Sequence, residues 1–180
     1  MVCDRCIMVV RQQLEHLDFQ VDDITLGTAE VHPEPSEQQL NEISSALNVL
    51  GFELIDKDKD KLIERIRNII IELIHHSDQA ELHVNFTETL SDRLHKDYSY
   101  LSRLFSESED LTIEKFIIQQ KIEKVKELLQ YGELNLNEIA WKMGYSSSAH
   151  LSNQFKAITG QSSREFKAQE QMSRKPLDKI

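Results

Sequence analysis

Two groups of residues in this 180-residue chain have the types and spacing for chemistry. The first is the pair Cys3 and Cys6, the only cysteines present, in the opening Met-Val-Cys-Asp-Arg-Cys. Two thiolates on one short segment suit a soft, low-coordinate ion such as Cu(I), because both can approach it from one side. Zinc would want four ligands. The same pair could instead sense thiol redox state, or simply pack. Ile7, Val10, Leu14 and Leu17 recur at helical spacing. Cys3 therefore falls in a loop and Cys6 in the first turn of a helix, where the N-terminal dipole lowers a thiol pKa. A thioredoxin-like enzyme would need a full strand before the cysteines and a larger sheet, so the chain does not read as an enzyme.

The second group lies between Asn135 and Gly160. Leu136, Ile139, Ala140 and Met143 line one side of a short helix, and Gly144 can take a left-handed turn. The serines at 146–148 offer an N-cap for a second helix with Leu151 and Phe155 at i, i+4. If those two face inward, Ala149, His150, Asn153 and Lys156 face out, with Ser147 and Ser148 at the leading end and Ser152 beside them. Short polar side chains there can reach base edges and phosphates when a helix N-terminus enters a major groove. A compact helical hairpin without DNA affinity would show the same apolar pattern.

A second copy of the pattern lies upstream. Phe86, Leu90 and Leu94 line one helix, and Leu101, Leu104 and Phe105 the next. Leu90 and Ser91 match Ile139 and Ala140, and Leu101 and Phe105 match Leu151 and Phe155. His95 stands where the other copy has Gly144, and the turn is one residue shorter. The outward face here is Ser99, Tyr100, Arg103 and Ser106, with Ser102 beside it. Arg103 could read guanine with both arms of its guanidinium, or pair with Glu107 one turn on.

Between the copies the spacing of Phe116, Ile117, Ile122, Val125 and Leu129 predicts a helix over 112–130. Its length of about 28 Å approaches the ~34 Å of one DNA turn, so one chain could enter two successive grooves without dimerising. Before the copies, a helix, a hairpin turning at Gly27, a Ser36-capped helix ending at Gly51 and a last strand at Phe52–Ile55 give α-β-β-α-β. The run Asp56-Lys57-Asp58-Lys59-Asp60 reads as a charged hinge and domain boundary. An apolar helix from Leu62 to Ile74 ends in His75 and His76, a dipole-favoured helix end rather than a ligand pair. A closing helix is expected from Ser162 to Met172, with order ending at Pro176.

Charge divides unevenly. The formal net charge is −10, which argues against a general nucleic-acid coat. Residues 1–80 carry 7 Lys/Arg against 16 Asp/Glu, whereas residues 139–179 carry 7 against 3, a local excess of +4. That excess falls on the second helix pair, where a positive face can meet phosphate. No stretch approaches the ~18 apolar residues of a membrane span, and Asp4 and Arg5 rule against a signal peptide. A soluble cytoplasmic protein is expected.

Tyr-Leu-Ser-Arg-Leu-Phe in the first copy, and Glu-Ile-Ala-x-x-x-Gly-Tyr-Ser-Ser followed by His-Leu-Ser-Asn-Gln-Phe-Lys and Thr-Gly in the second, resemble the AraC/XylS family of bacterial transcription regulators over roughly residues 60–170. The resemblance implies that Ser99, Ser102 and Arg103, and Ser148, Ala149, Ser152 and Asn153, face DNA bases. His95, Ser91 and Asn153 depart from the family's usual glycine, alanine and arginine. The first 56 residues resemble a heavy-metal-associated domain through Met1-x-Cys3-x-x-Cys6 and Gly51-Phe52, although that fold places a strand ahead of the cysteines.

The expected architecture is thus an α+β ferredoxin-like domain over 1–56 (βαββαβ with its first strand missing) followed by an all-α domain over 57–175. The latter holds two helix-turn-helix units, about 86–107 and 135–158. The expected function is sequence-specific DNA binding for transcription regulation, responsive to metal or redox state through Cys3 and Cys6. Double-stranded DNA is the expected partner, RNA polymerase a further candidate, and a membrane is not one. Ser99, Tyr100, Ser102, Arg103, Ser147, Ser148, Ala149, Ser152, Asn153 and Lys156 are the candidate DNA contacts. The alternative is a metal-trafficking or partner-binding protein whose helical half is an interaction module.

Overall fold

The computed structural model describes residues 1–55, 58–76 and 85–168. The chain divides into two compact units, Met1–Asn68 and Ile69 onward. Each is built for its own reasons.

In the first unit, α1 (Asp4–His16) leads into an antiparallel hairpin of β1 (Gln20–Thr25) and β2 (Thr28–His32), and α2 (Glu37–Val49) follows. Gly27, at φ 91°, makes the two-residue turn that L-residues resist. Ser36 and Gln39 cap α2 reciprocally, each side chain meeting the other's backbone N–H. Val10 and Leu14 of α1, Phe19, Ile24 of β1, and Ile43 and Leu47 of α2 form the core.

The expected last strand does not form. Phe52–Ile55 is irregular, and the reason lies in the end of α2. Phe52 donates its N–H back to Leu47 and Gly51 donates to Asn48, the paired closure of a helix ended by a left-handed residue. Gly51, at φ 81°, is that residue. Phe52's side chain still packs on the core, so the apolar signal was a helix stop and its hydrophobic contact rather than a strand. The described residues therefore give α-β-β-α with a two-stranded sheet, and no ferredoxin-like sheet.

Asp58-Lys59-Asp60 is not hinge but the exposed first turn of α3 (Asp58–Ile71), where the helix dipole favours Asp58 and Asp60. The helix continues as a π-helical turn over Glu72–His76.

The second unit is helical: α4 (Phe86–Leu94), α5 (Tyr98–Glu109), α6 (Ile113–Tyr131), α7 (Leu136–Lys142), α8 (Ser148–Thr159) and α9 (Ser163–Ala168). Caps set the starts: Asn85 accepts from Thr87, Thr112 from Lys115, Asn135 from Asn137 and Glu138, and Ser147 from His150. Leu90, Leu101, Phe105, Phe116, Ile122, Val125, Ile139, Leu151 and Phe155 are wholly buried. Each such side chain contributes on the order of 2 kcal/mol, so this core rather than helix propensity holds the unit together. The part of the expected closing helix beyond Ala168, with Pro176, lies outside the described residues.

Candidate nucleic-acid interface

Each helix pair is held by the same devices. Leu90 and Ile139 anchor the first helices, and Leu101 with Phe105, and Leu151 with Phe155, anchor the second. The turns close alike: Lys96 donates its N–H to the Ser91 carbonyl, and Tyr145 to that of Ala140. His95, at φ 51°, adopts the left-handed conformation that Gly144 adopts at 72°. His95 therefore does a glycine's work with a side chain attached.

The repeat runs further than the helix pairs. Phe105 packs on Phe116 with centroids 5.6 Å apart, and Phe155 packs edge-on against Phe166 at 5.6 Å. Both partners stand 11 residues on, and both steps from the first copy to the second are 50 residues. Thr112 and Ser162 mark the matching helix starts, Ser162 meeting Glu165 in a reciprocal cap. The 50-residue spacing of these residues is present in the sequence beyond the helix pairs themselves.

With the anchors inward, the rest of α5 and α8 is fixed by helical geometry. On α5, Ser99, Tyr100 and Arg103 are exposed and Ser102 is half-buried. Arg103 has no side-chain hydrogen bond or ion pair among the described residues, so the pairing with Glu107 does not form. On α8, Ala149, Asn153 and Lys156 are exposed, Ser147 is exposed at its cap, and Ser148 and Ser152 are half-buried.

Several of these groups already have internal roles. Of the three serines, Ser147 is the cap, its hydroxyl accepting the His150 N–H at 3.1 Å. Ser152 donates its hydroxyl to the Ser148 carbonyl at 2.8 Å, which leaves its lone pairs for an incoming donor. His150 is drawn toward its own unit by Ser146, at 3.2 Å, and by the edge of Tyr145, at 5.4 Å between ring centres.

Tyr98 was not singled out by its sequence context, and it positions α5. Its hydroxyl donates to Glu114 in the first turn of α6. Burial, then that carboxylate, raise the Tyr98 pKa well above the ordinary phenol value, and the same hydrogen bond lowers that of Glu114. No local pattern announces such a pair, because its members are 16 residues apart.

At the other end of the chain, Cys3 is the N-cap of α1 and Cys6 lies in its first turn, with sulfurs 3.6 Å apart. Burial pushes the Cys3 thiol up and Asp4 adds to that. Hydrogen bonds from the Cys6 backbone and thiol and from the Arg5 backbone outweigh both, and the pKa falls below its usual value. The described residues contain no group of three or more His, Cys, Asp or Glu placed to hold a metal. The donor set fits a two-coordinate soft ion and does not fit zinc.

Comparison with known proteins bears on the helical unit. Residues 90–169 match the family model described as "Helix-turn-helix domain". The Msm operon regulatory protein of Streptococcus mutans is 30% identical over 100 residues, covering 56% of this chain and 35% of that protein. The uncharacterized HTH-type transcriptional regulator YtdP of Bacillus subtilis is 26% identical over 129 residues, 68% of this chain and 16% of its own length. Among solved structures, the C-terminal domain of AraT, a response regulator from Geobacillus stearothermophilus, superposes with a TM-score of 0.52 at 24% identity, covering 67% of this chain and 94% of that one. The chain thus spans about a third or less of the curated relatives it matches, and those relatives are named as regulators, not enzymes.

Fold and repeat together define residues 90–169 as a helix-turn-helix domain. The same likenesses extend to the N-terminal unit no heavy-metal-associated fold.

Proposed function

We propose that the chain is a sequence-specific DNA-binding transcription regulator of the AraC type, built on residues 57–175. Ser99, Ser102, Arg103, Ser148, Ser152 and Asn153 read bases, Tyr100, Ser147 and Ala149 line the same contact, and Lys156 meets phosphate. The observation that carries this reading is the pair of matched helices, α5 and α8. Each buries a Leu and a Phe completely and turns an exposed, largely polar face outward. Such a face suits the floor of a major groove.

Two readers on one chain make a monomer sufficient for a specific site. The cytoplasm is the compartment in which such a protein meets double-stranded DNA and RNA polymerase. Cys3 and Cys6 supply the signal in this reading, their close sulfurs and lowered thiol pKa suiting Cu(I) or a thiol oxidant. A ligand there regulates only if it binds two packings with different affinity. Equal DNA affinity with and without Cu(I) would remove the switch and leave the DNA reading standing.

The test is binding of the full chain to a random duplex pool at two salt concentrations. A DNA reader enriches one sequence and loses affinity steeply as salt rises, because phosphate neutralisation releases counterions. No enrichment and no salt slope would leave the helical half as a protein-interaction module.

A further inference from the structure

Lys121 stands in the middle of α6, half-buried, and touches both helix-turn-helix units. Its ammonium donates to the carbonyl of Met143 at 2.8 Å. It also lies 5.6 Å from the centres of two rings, Phe86 and Tyr145. Phe86 opens α4, the first helix of the first unit. Met143 and Tyr145 flank Gly144 in the turn of the second. One cation is therefore shared by the start of one unit and the turn of the other.

We infer that Lys121 is a positioning residue that fixes the spacing between the two recognition helices. The inference rests on the DNA-binding reading for its consequence, though not for its geometry. A helical rod sets the distance between two modules only if each is clamped to it. Packed apolar side chains resist separation, but the attraction between them is non-directional. A cation aimed at one carbonyl and two ring faces is directional, and the rings' negative faces reward it only where it sits. Burial pulls the Lys121 pKa down, so these contacts offset a real desolvation cost, which a space-filling residue would not incur. The advantage of two linked readers over one depends on how closely their spacing is held, and reaches 10²–10⁴ when geometry allows both to engage.

Two measurements separate this inference from the reading beneath it. The first needs no DNA. In the full chain carrying Cys3→Ser and Cys6→Ser, spin labels at Glu107→Cys and Ala157→Cys, both exposed near the ends of α5 and α8, report the distance between the recognition helices. The distribution should be narrow, broaden in Lys121→Met, and narrow again in Lys121→Arg, which can still donate and stack. Equal widths in all three overturn the inference. Should Lys121→Met fail to fold, Phe86→Leu removes one ring while keeping bulk, and broadening is again expected.

The second measurement compares a duplex selected by the wild-type chain with the same duplex lengthened by one base pair between its half-sites. The wild type should lose about tenfold on insertion, and Lys121→Met should bind the parent duplex more weakly yet lose much less on insertion. Equal insertion penalties overturn the inference. If the wild type binds no duplex, the functional reading falls, and the label widths still decide the role of Lys121.

Discussion

His75, in the π-helical turn that follows α3, donates from Nε2 to Oε1 of Gln120 in α6 at 3.0 Å. Gln120 is wholly buried, and burial is the main reason the His75 pKa falls from 6.5 to about 4. Lys124 and His76 push the same way, while Gln120 and Glu127 oppose them. The sign of the consequence follows. As pH falls through 6.5 the unfolded chain takes up a proton on His75 and the folded chain does not, so stability is fully present above pH 6.5 and is lost toward pH 4. The shift corresponds to on the order of 3 kcal/mol. Urea unfolding between pH 4.5 and 7 should show a shallower dependence in His75→Gln, which keeps a hydrogen-bonding group and cannot titrate. Parallel curves for the two proteins would refute this.

The histidine pair also shows where sequence was informative. Its place at a helix end was legible, because the Leu62–Ile74 periodicity runs straight into it. Its partner was not, since Gln120 lies 45 residues on, and its place one turn beyond Phe116 does not say which residue it meets. The same division holds throughout. In the second unit the elements α4 to α8 were readable from caps and periodicity that agree, as at Asn135 with Glu138 and Ser147 with His150. At Phe52 one apolar residue could complete either a strand or a helix stop, and only the bond to Leu47 decides. The outward faces of α5 and α8 were legible because burying Leu101, Phe105, Leu151 and Phe155 leaves no other solution. Tyr98 and Lys121 were not, because what they hold comes from distant segments.

The two turns make opposite predictions. His95 sits at φ 51°, where an L-residue costs about 1–2 kcal/mol, and Gly144 sits at φ 72° at no such cost. His95→Gly relieves that strain but frees the unfolded chain, which offsets roughly 0.5–1 kcal/mol of it, so a net gain of up to about 1.5 kcal/mol is expected. Gly144→Ala introduces the strain and should cost about 1–2 kcal/mol. Thermal unfolding of both variants measures this directly, and a destabilised His95→Gly would mean that the imidazole contributes more than the backbone strain removes.

Tyr145 buries its hydroxyl with no hydrogen-bond partner among the described residues, and burial raises its pKa to about 12. An unpaired buried hydroxyl is a liability, whereas the ring beneath it serves Lys121. Tyr145→Phe keeps the ring and removes the liability. It should unfold at an unchanged or higher denaturant concentration, by up to about 1 kcal/mol, with DNA binding retained. A loss beyond 1 kcal/mol would show that the hydroxyl is engaged.

Arg103, near the middle of α5, and Lys156, toward the end of α8, both lie on outward faces and are exposed. Their chemistry divides their roles. A guanidinium can meet two acceptors on a guanine edge at once, whereas an ammonium on a flexible stem is a point charge suited to phosphate. Arg103→Ala should flatten preference at one base position, at a cost of about 1–3 kcal/mol on the preferred duplex and little on others. Lys156→Gln should weaken all duplexes alike and reduce the slope of log affinity against log salt by about 1. Selection from a random pool reads the first effect and a salt titration the second. Identical behaviour of the two variants in both experiments would mean that neither face divides base reading from phosphate contact in this way.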